Sequence, residues 1–131
     1  RRNAYSVLRR LREQGLTLGL ITNGTSAIQR NILDALGLTR YLRHILIGEV
    51  EGFSKTDPRL FQRALEMVQI QPEQMLYVGD SLITDVMGAR RAGIPVVWLN
   101  VEDQPVPEGM PVPDYAIADL KELPGIAEAG R

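Results

Sequence analysis

Two acids in the stretch Met75 to Arg90, MLYVGDSLITDVMGAR, have the spacing of a paired-carboxylate site: Asp80 and Asp85 come after an apolar run that breaks at Gly79. Leu76, Tyr77 and Val78 suit a buried strand, and Gly79 permits a sharp exit at the strand's carboxyl end. Ser81 and Thr84 can cap a helix beyond it, and Val86, Ala89 and Ala92 recur at helical spacing before Gly93 stops that helix. The pattern predicts Asp80 at a strand tip and Asp85 in the first turn of the next helix, converging on one point in a crevice. Paired hard oxygen ligands there suit Mg²⁺, which keeps several waters and takes one or two protein carboxylates. Capping and the helix dipole alone favour an aspartate near a helix N-terminus, so either acid singly is explained without chemistry. A cap does not require an acid at the strand tip as well, and that makes the whole arrangement specific.

The elements that must hold these acids are legible on both sides. From Asn3 to Gln14, Tyr5, Val7, Leu8 and Leu11 share one face with arginines around them, and Gly15 ends this surface helix. Leu16 to Thr22 reads as a buried strand ending in Thr22-Asn23-Gly24. Ser26 with Gln29 resembles a capping box for a helix that turns Ile28, Ile32, Leu33 and Leu36 inward and stops at Gly37. His44 to Gly48 is a second short strand, with the polar, glycine-bearing EVEGFSK after it. His44 itself, isolated from other ligand types, reads as a strand-end residue. Asp57-Pro58 is an N-cap and N1 pair opening a helix whose stripe is Leu60, Phe61, Ala64, Leu65 and Val68, with Lys55 just before it. Ile94 to Leu99 reads as a parallel strand buried on both faces, and Trp98 within it as packing. Glu102 to Pro113 holds four of the eight prolines and reads as an irregular loop. Tyr115 to Ala118 forms an edge strand, and Asp119 with Glu122 caps a last helix. Strands alternating with amphipathic helices predict an α/β layered fold with a mainly parallel sheet.

Bulk properties narrow the class. A chain of 131 residues, 44% apolar, has room for one domain with a sizeable core. Fifteen basic against sixteen acidic residues give a net charge of −1 with no long run of either sign, so no nucleic-acid partner is expected. The absence of cysteine removes disulfides and thiolate metal sites, leaves metal chemistry to oxygen ligands, and fits a cytoplasmic location. The first residues alternate basic and apolar types without a signal-peptide core, and no apolar run approaches a membrane span.

In an open parallel sheet, ligands bind beyond the carboxyl ends of the strands, where Thr22, Asn23 and Asp80 all fall, with Lys55 preceding a helix that leads back to the sheet. A hydroxyl, an amide, an ammonium and two carboxylates at one rim make a site for a phosphoryl group with a metal ion. This pattern resembles the haloacid dehalogenase-like hydrolase superfamily along nearly the whole chain. ITNGT is similar to its second motif, which implies that Thr22 binds a phosphoryl oxygen with Asn23 and Gly24 beside it. GFSKTDPRLF is similar to the third, which implies that Lys55 neutralises nucleophile and phosphate; Thr56 stands where many members have proline. GDSLITD is similar to the fourth, which implies that Asp80 and Asp85 hold Mg²⁺ directly or through water. The tail PVPDYAIADLKELPGI is similar to that of the phosphatase branch containing N-acylneuraminate-9-phosphatase and the pyrimidine nucleotidases.

The resemblance implies a three-layer Rossmann-like core and hydrolysis of a small phosphorylated metabolite through an aspartyl-phosphate. It also implies a first strand bearing D-x-D-x-T, whose first aspartate is the nucleophile. The aspartates here, at 34, 57, 80, 85, 103, 114 and 119, include no such pair. The expectation is therefore an incomplete core, the carboxyl-terminal portion of a longer hydrolase, inactive alone. In the family that strand lies between those ending in Thr22 and Asp80, so a missing segment or a second chain would complete the sheet. Two other readings stand beside it: a non-catalytic interaction or regulatory module, and carbon–halogen hydrolysis, which the family performs without Mg²⁺.

Overall fold

The computed structural model describes residues 4–22, 37, 41–52, 54–55 and 57–129 of the chain. Helix α1 (Ala4–Glu13) forms where the amphipathic pattern places it: Val7 and Leu11 are buried one turn apart, and Arg9, Arg10 and Arg12 are exposed. Strand β1 (Gly19–Thr22) runs parallel to β2 (His44–Ile47), with Gly19 opposite His44 and Thr22 opposite Ile47. A short helix, α2 (Gly48–Glu51), starts at the glycine expected to end the second strand and takes in the first residues of the polar stretch after it. Helix α3 (Pro58–Val68) starts as its sequence dictates. The Asp57 carboxylate accepts from the Arg59 backbone N–H at 2.9 Å and Pro58 takes the first helical position.

Strands β3 (Tyr77–Gly79), β4 (Val96–Leu99) and β5 (Tyr115–Ile117) make a parallel sheet with β4 in the middle. All four residues of β4 are buried, and they alternate between two cores. Val96 and Trp98 pack with Leu60, Phe61 and Ala64 of α3, with Val86 and Ala89, and with Ile21 and Leu46 of the first two strands. Val97 and Leu99 pack with Val7 and Leu11 of α1 and with Ile117 and Leu123. A sheet with apolar helices on both faces is the three-layer α/β arrangement that alternating strands and helices predict. Among the described residues β1 pairs only with β2 and β3 only with β4, so the strands ending in Thr22 and Asp80 are not bonded to each other.

One element differs from the expected helix. After Ser81 the chain makes a π-helical turn, Leu82–Val86, before the α-helical α4 (Met87–Arg91). The N–H groups of Asp85 and Val86 both donate to the Ser81 carbonyl, at 3.0 and 3.1 Å. Apolar periodicity does not reveal this, because Val86 and Ala89 keep helical spacing while the turn before them widens. Asp85 thus stands inside a wide turn rather than in the first turn of a regular helix. The Ser81 cap holds, with its hydroxyl accepting from Thr84 N–H at 3.2 Å. So does the Asp119–Glu122 capping box before α5 (Leu123–Ala129). The helix expected to carry Ile28, Ile32, Leu33 and Leu36 lies outside the described residues.

Gly88 is where α4 meets the rest of this layer. A Cβ there would run into the Lys55 backbone carbonyl and the Phe61 ring. Gly125 in α5 has open space around it. Gly88→Ala is therefore expected to lower stability by about 1–3 kcal/mol through overpacking. Gly125→Ala should raise it by roughly 0.4–1 kcal/mol by restricting the unfolded chain. Chemical denaturation of both variants checks the contrast in sign.

Candidate active site

The strand tip is built around one buried carboxylate. Asp85 is 2% exposed, and burial of a charged group is tolerable only with partners. It has four. Its Oδ2 accepts from the backbone N–H groups of Asp80 and Ser81, both at 3.1 Å. Its Oδ1 accepts from the Tyr77 hydroxyl at 3.0 Å and pairs with Lys55 Nζ, also at 3.0 Å. Three separate elements, the end of β3, the π turn and the segment before α3, are tied together through one side chain.

Close approach rather than unusual backbone conformation explains the glycine at the end of β3. Gly79 is not among the residues of positive φ, but a Cβ there would collide with the Asp85 side chain. The glycine makes room for the buried acid of the π turn. Tyr77 is fixed from its other side by an edge-to-face contact with Phe61, at 4.9 Å between ring centroids. Burial, followed by the Asp85 charge and hydrogen bond and the Asp80 charge, holds the Tyr77 hydroxyl protonated far above the ordinary phenol range.

The second acid has a different environment. Asp80 is exposed, whereas its backbone is fastened at both ends, by Asp85 at the N–H and by Trp98 at the carbonyl, which accepts from Nε1 at 3.2 Å. The structure therefore brings Lys55, Asp80 and Asp85 together at the carboxyl end of β3 and gives the two acids unequal positions. Thr22 ends β1, the strand that runs parallel to β2. Asn23 and Gly24 lie outside the described residues. Tyr77 and Trp98 are functional neighbours that the sequence pattern presents only as core. Their polar atoms are the one signal that could have marked them, since a buried Tyr O–H or Trp N–H usually finds a partner. His44 opens β2 as a strand-end residue.

The donor set suits one kind of metal ion. Both Asp85 oxygens already accept from protein donors, leaving Asp80 as the exposed carboxylate of the pair. Among the described residues no three acids or histidines cluster as a metal cage. One direct carboxylate with a second acid behind it does not suit a cation needing many protein ligands. It fits Mg²⁺, which retains several waters and shares its remaining positions with substrate phosphate.

A family model for haloacid dehalogenase-like hydrolases matches residues 1–93. The phosphoserine phosphatase of Thermus thermophilus is 40% identical over 121 residues, covering 92% of this chain and 48% of that protein. The N-acylneuraminate-9-phosphatase of Mus musculus is 30% identical over 125 residues, covering 95% of this chain and 50% of that protein. The magnesium-bound HAD-hydrolase YfnB of Bacillus subtilis superposes with a TM-score of 0.90 at 31% identity, over 96% of this chain and 55% of that one. The 2-haloacid dehalogenase of Pseudomonas syringae superposes with a TM-score of 0.77 at 32% identity, over 88% of this chain and 48% of that one. The chain spans about half the length of these curated relatives.

The four-partner carboxylate sets the stability of this corner. Asp85→Ala removes the acceptor of the Tyr77 hydroxyl and of two backbone N–H groups, and the carboxylate that faces Lys55, and is expected to cost about 3–5 kcal/mol. Asp80→Ala, at an exposed side chain, should stay within about 0.5 kcal/mol of the wild type. Urea denaturation of the two variants measures the difference. For Tyr77 the folded-state value is raised, so its contribution is fully present below the unfolded value near pH 10. Above that pH the unfolded chain ionises first and stability falls. Tyr77→Phe should remove up to about 1.4 kcal/mol per pH unit from the slope between pH 10 and 11, read from denaturation midpoints.

Proposed function

This chain belongs to the haloacid dehalogenase-like hydrolases, and from that premise we propose that it supplies the phosphate- and metal-binding half of a phosphomonoesterase acting on a small phosphorylated metabolite. The observation that carries this reading is the split between the two acids, one held inward on Lys55 and one exposed at the strand tip. That arrangement supports a site in which cationic and anionic groups are prepositioned before a phosphate arrives. Phosphoryl transfer gains most from such positioning.

In this reading Asp80 would hold Mg²⁺, with Asp85 behind it holding Lys55. The ion, when bound, neutralises charge on the phosphoryl oxygens. Lys55 places its ammonium beside the same oxygens and beside the attacking carboxylate. Its orientation is fixed by Asp85 Oδ1, so little reorganisation is needed as negative charge builds. Thr22, with Asn23 and Gly24, binds a phosphoryl oxygen from the end of β1. The nucleophile is an aspartate from outside these 131 residues. Its carboxylate attacks phosphorus, the ester P–O bond breaks, and the oxygen takes a proton from a second acid of that outside segment to leave as the alcohol. Water then gives a proton to the same acid as it attacks the aspartyl-phosphate, releasing phosphate and restoring the nucleophile's carboxylate.

The same outside segment completes the sheet as a strand between β1 and β3, whether it belongs to this polypeptide or to a second one. The division of the described strands into two sheets, with β1 and β3 not bonded to each other, supports that placement. The likeness to a phosphoserine phosphatase and to an N-acylneuraminate-9-phosphatase favours phosphorylated metabolites as substrates.

A second reading, carbon–halogen hydrolysis, is favoured by the superposition on a 2-haloacid dehalogenase. It requires no Mg²⁺, so chelation separates the two. Turnover of phosphate esters by the intact protein that EDTA abolishes and Mg²⁺ restores is the expected result. EDTA-insensitive release of halide from a 2-haloacid would replace this reading by the other. Within the phosphatase reading, Asp80→Asn should abolish Mg²⁺-stimulated turnover. Lys55→Ala should lower kcat by about 10²–10³. Unchanged activity in either variant removes that residue from the site.

A further inference from the structure

Beyond Lys55 and the two acids, one buried side chain touches the strand tip from the neighbouring strand. Trp98 is 7% exposed in β4, directly across the parallel ladder from Gly79. Its indole N–H, a donor with no acceptor capacity, is directed at the Asp80 carbonyl at 3.2 Å. The peptide that this carbonyl belongs to is held at its other end as well, where Ser81 N–H donates to Asp85 Oδ2 at 3.1 Å. The preceding peptide is held through Asp80 N–H on the same oxygen. Both peptide planes flanking the Asp80 α-carbon are thus fixed by side chains.

We propose that Trp98 is a positioning residue for Asp80: its indole N–H locks the Asp80–Ser81 peptide so that the Asp80 carboxylate is presented to Mg²⁺ at the mouth of the site. This rests on the reading of Asp80 as the Mg²⁺ ligand. Packing alone does not explain the contact. Any large apolar side chain would fill this part of the core, whereas the indole adds a donor aimed at the Asp80 carbonyl. Metal ligands depend on outer partners that orient them, and loss of such a partner characteristically weakens metal binding about tenfold or more.

The test is Mg²⁺ binding by calorimetry to the intact protein, with Mg²⁺ alone as the probe, in the wild type, Trp98→Phe, Val96→Ala and Asp80→Asn. Trp98→Phe, which keeps an aromatic ring and loses the donor, should weaken Mg²⁺ about tenfold. Val96→Ala, a comparable lesion of the same core, should leave the affinity within about twofold, the scale of an indirect effect at a distance. Wild-type affinity in Trp98→Phe, or equal weakening in Val96→Ala, overturns the role of Trp98 while leaving Asp80 as ligand. Unchanged binding in Asp80→Asn overturns the metal reading and the Trp98 role together. Should Trp98→Phe fail to fold, 5-fluorotryptophan placed only at position 98 keeps the N–H and the packing. Its ¹⁹F resonance should shift on saturation with Mg²⁺, and an unmoved resonance overturns the proposal.

Discussion

A carboxylate that is almost fully removed from water must be neutralised and hydrogen-bonded where it stands, and in this chain the requirement falls on Asp85. Its partners determine the local architecture. Two backbone N–H groups fold the strand tip over Oδ2, and a tyrosine and a lysine close on Oδ1. Gly79 is a consequence of the same requirement, because any side chain there would occupy the space of the acid. Gly88 is a consequence at one remove, because α4 must pass close to the Lys55 backbone for the ammonium to reach its partner. The π turn belongs to the same set, as it sits between the tip that Asp85 holds and the helix that carries Gly88.

Such a pair is a poor source of net stability, since the desolvation of both charges offsets most of their attraction. Its contribution is to geometry. A lysine on a flexible stem is brought to a single place, and an acid that would otherwise compete for the same cation is withdrawn from it. The exposed Asp80 then keeps a different role from Asp85 although both are the same residue type. In the proposed reading, that division of labour between two acids, set by environment alone, would let one strand tip hold an ammonium and receive a metal ion without the charges cancelling one another.

Much of this was legible in the sequence where a local rule governs. Asp57 before Pro58, and Asp119 with Glu122, are caps whose partners lie within a few residues, and they form as written. The alternation of strands and helices pointed to the layered fold, and the apolar run Ile94 to Leu99 pointed to a strand buried on both faces, which forms over Val96–Leu99. The site was legible only as a set of residue types at one rim. Lys55 and Asp85 stand far apart in the chain, and neither their spacing nor the family resemblance announced that they pair. Tyr77 and Trp98 were hidden because an apolar run announces packing and says nothing of the polar atom at the ring's end. The wide turn at Leu82–Val86 was hidden because its apolar residues keep the period of an ordinary helix.

Lys55 and Asp85 act energetically as one unit, and a double-mutant cycle on stability tests this most directly. Lys55→Met, Asp85→Asn and the double variant are compared with the wild type by urea denaturation of the intact protein. A coupling of about 1.5–3 kcal/mol is predicted, because Lys55→Met leaves the buried Asp85 charge without its cation and the double change removes that charge. A coupling under about 0.5 kcal/mol, the value of an ordinary exposed ion pair, would contradict the account.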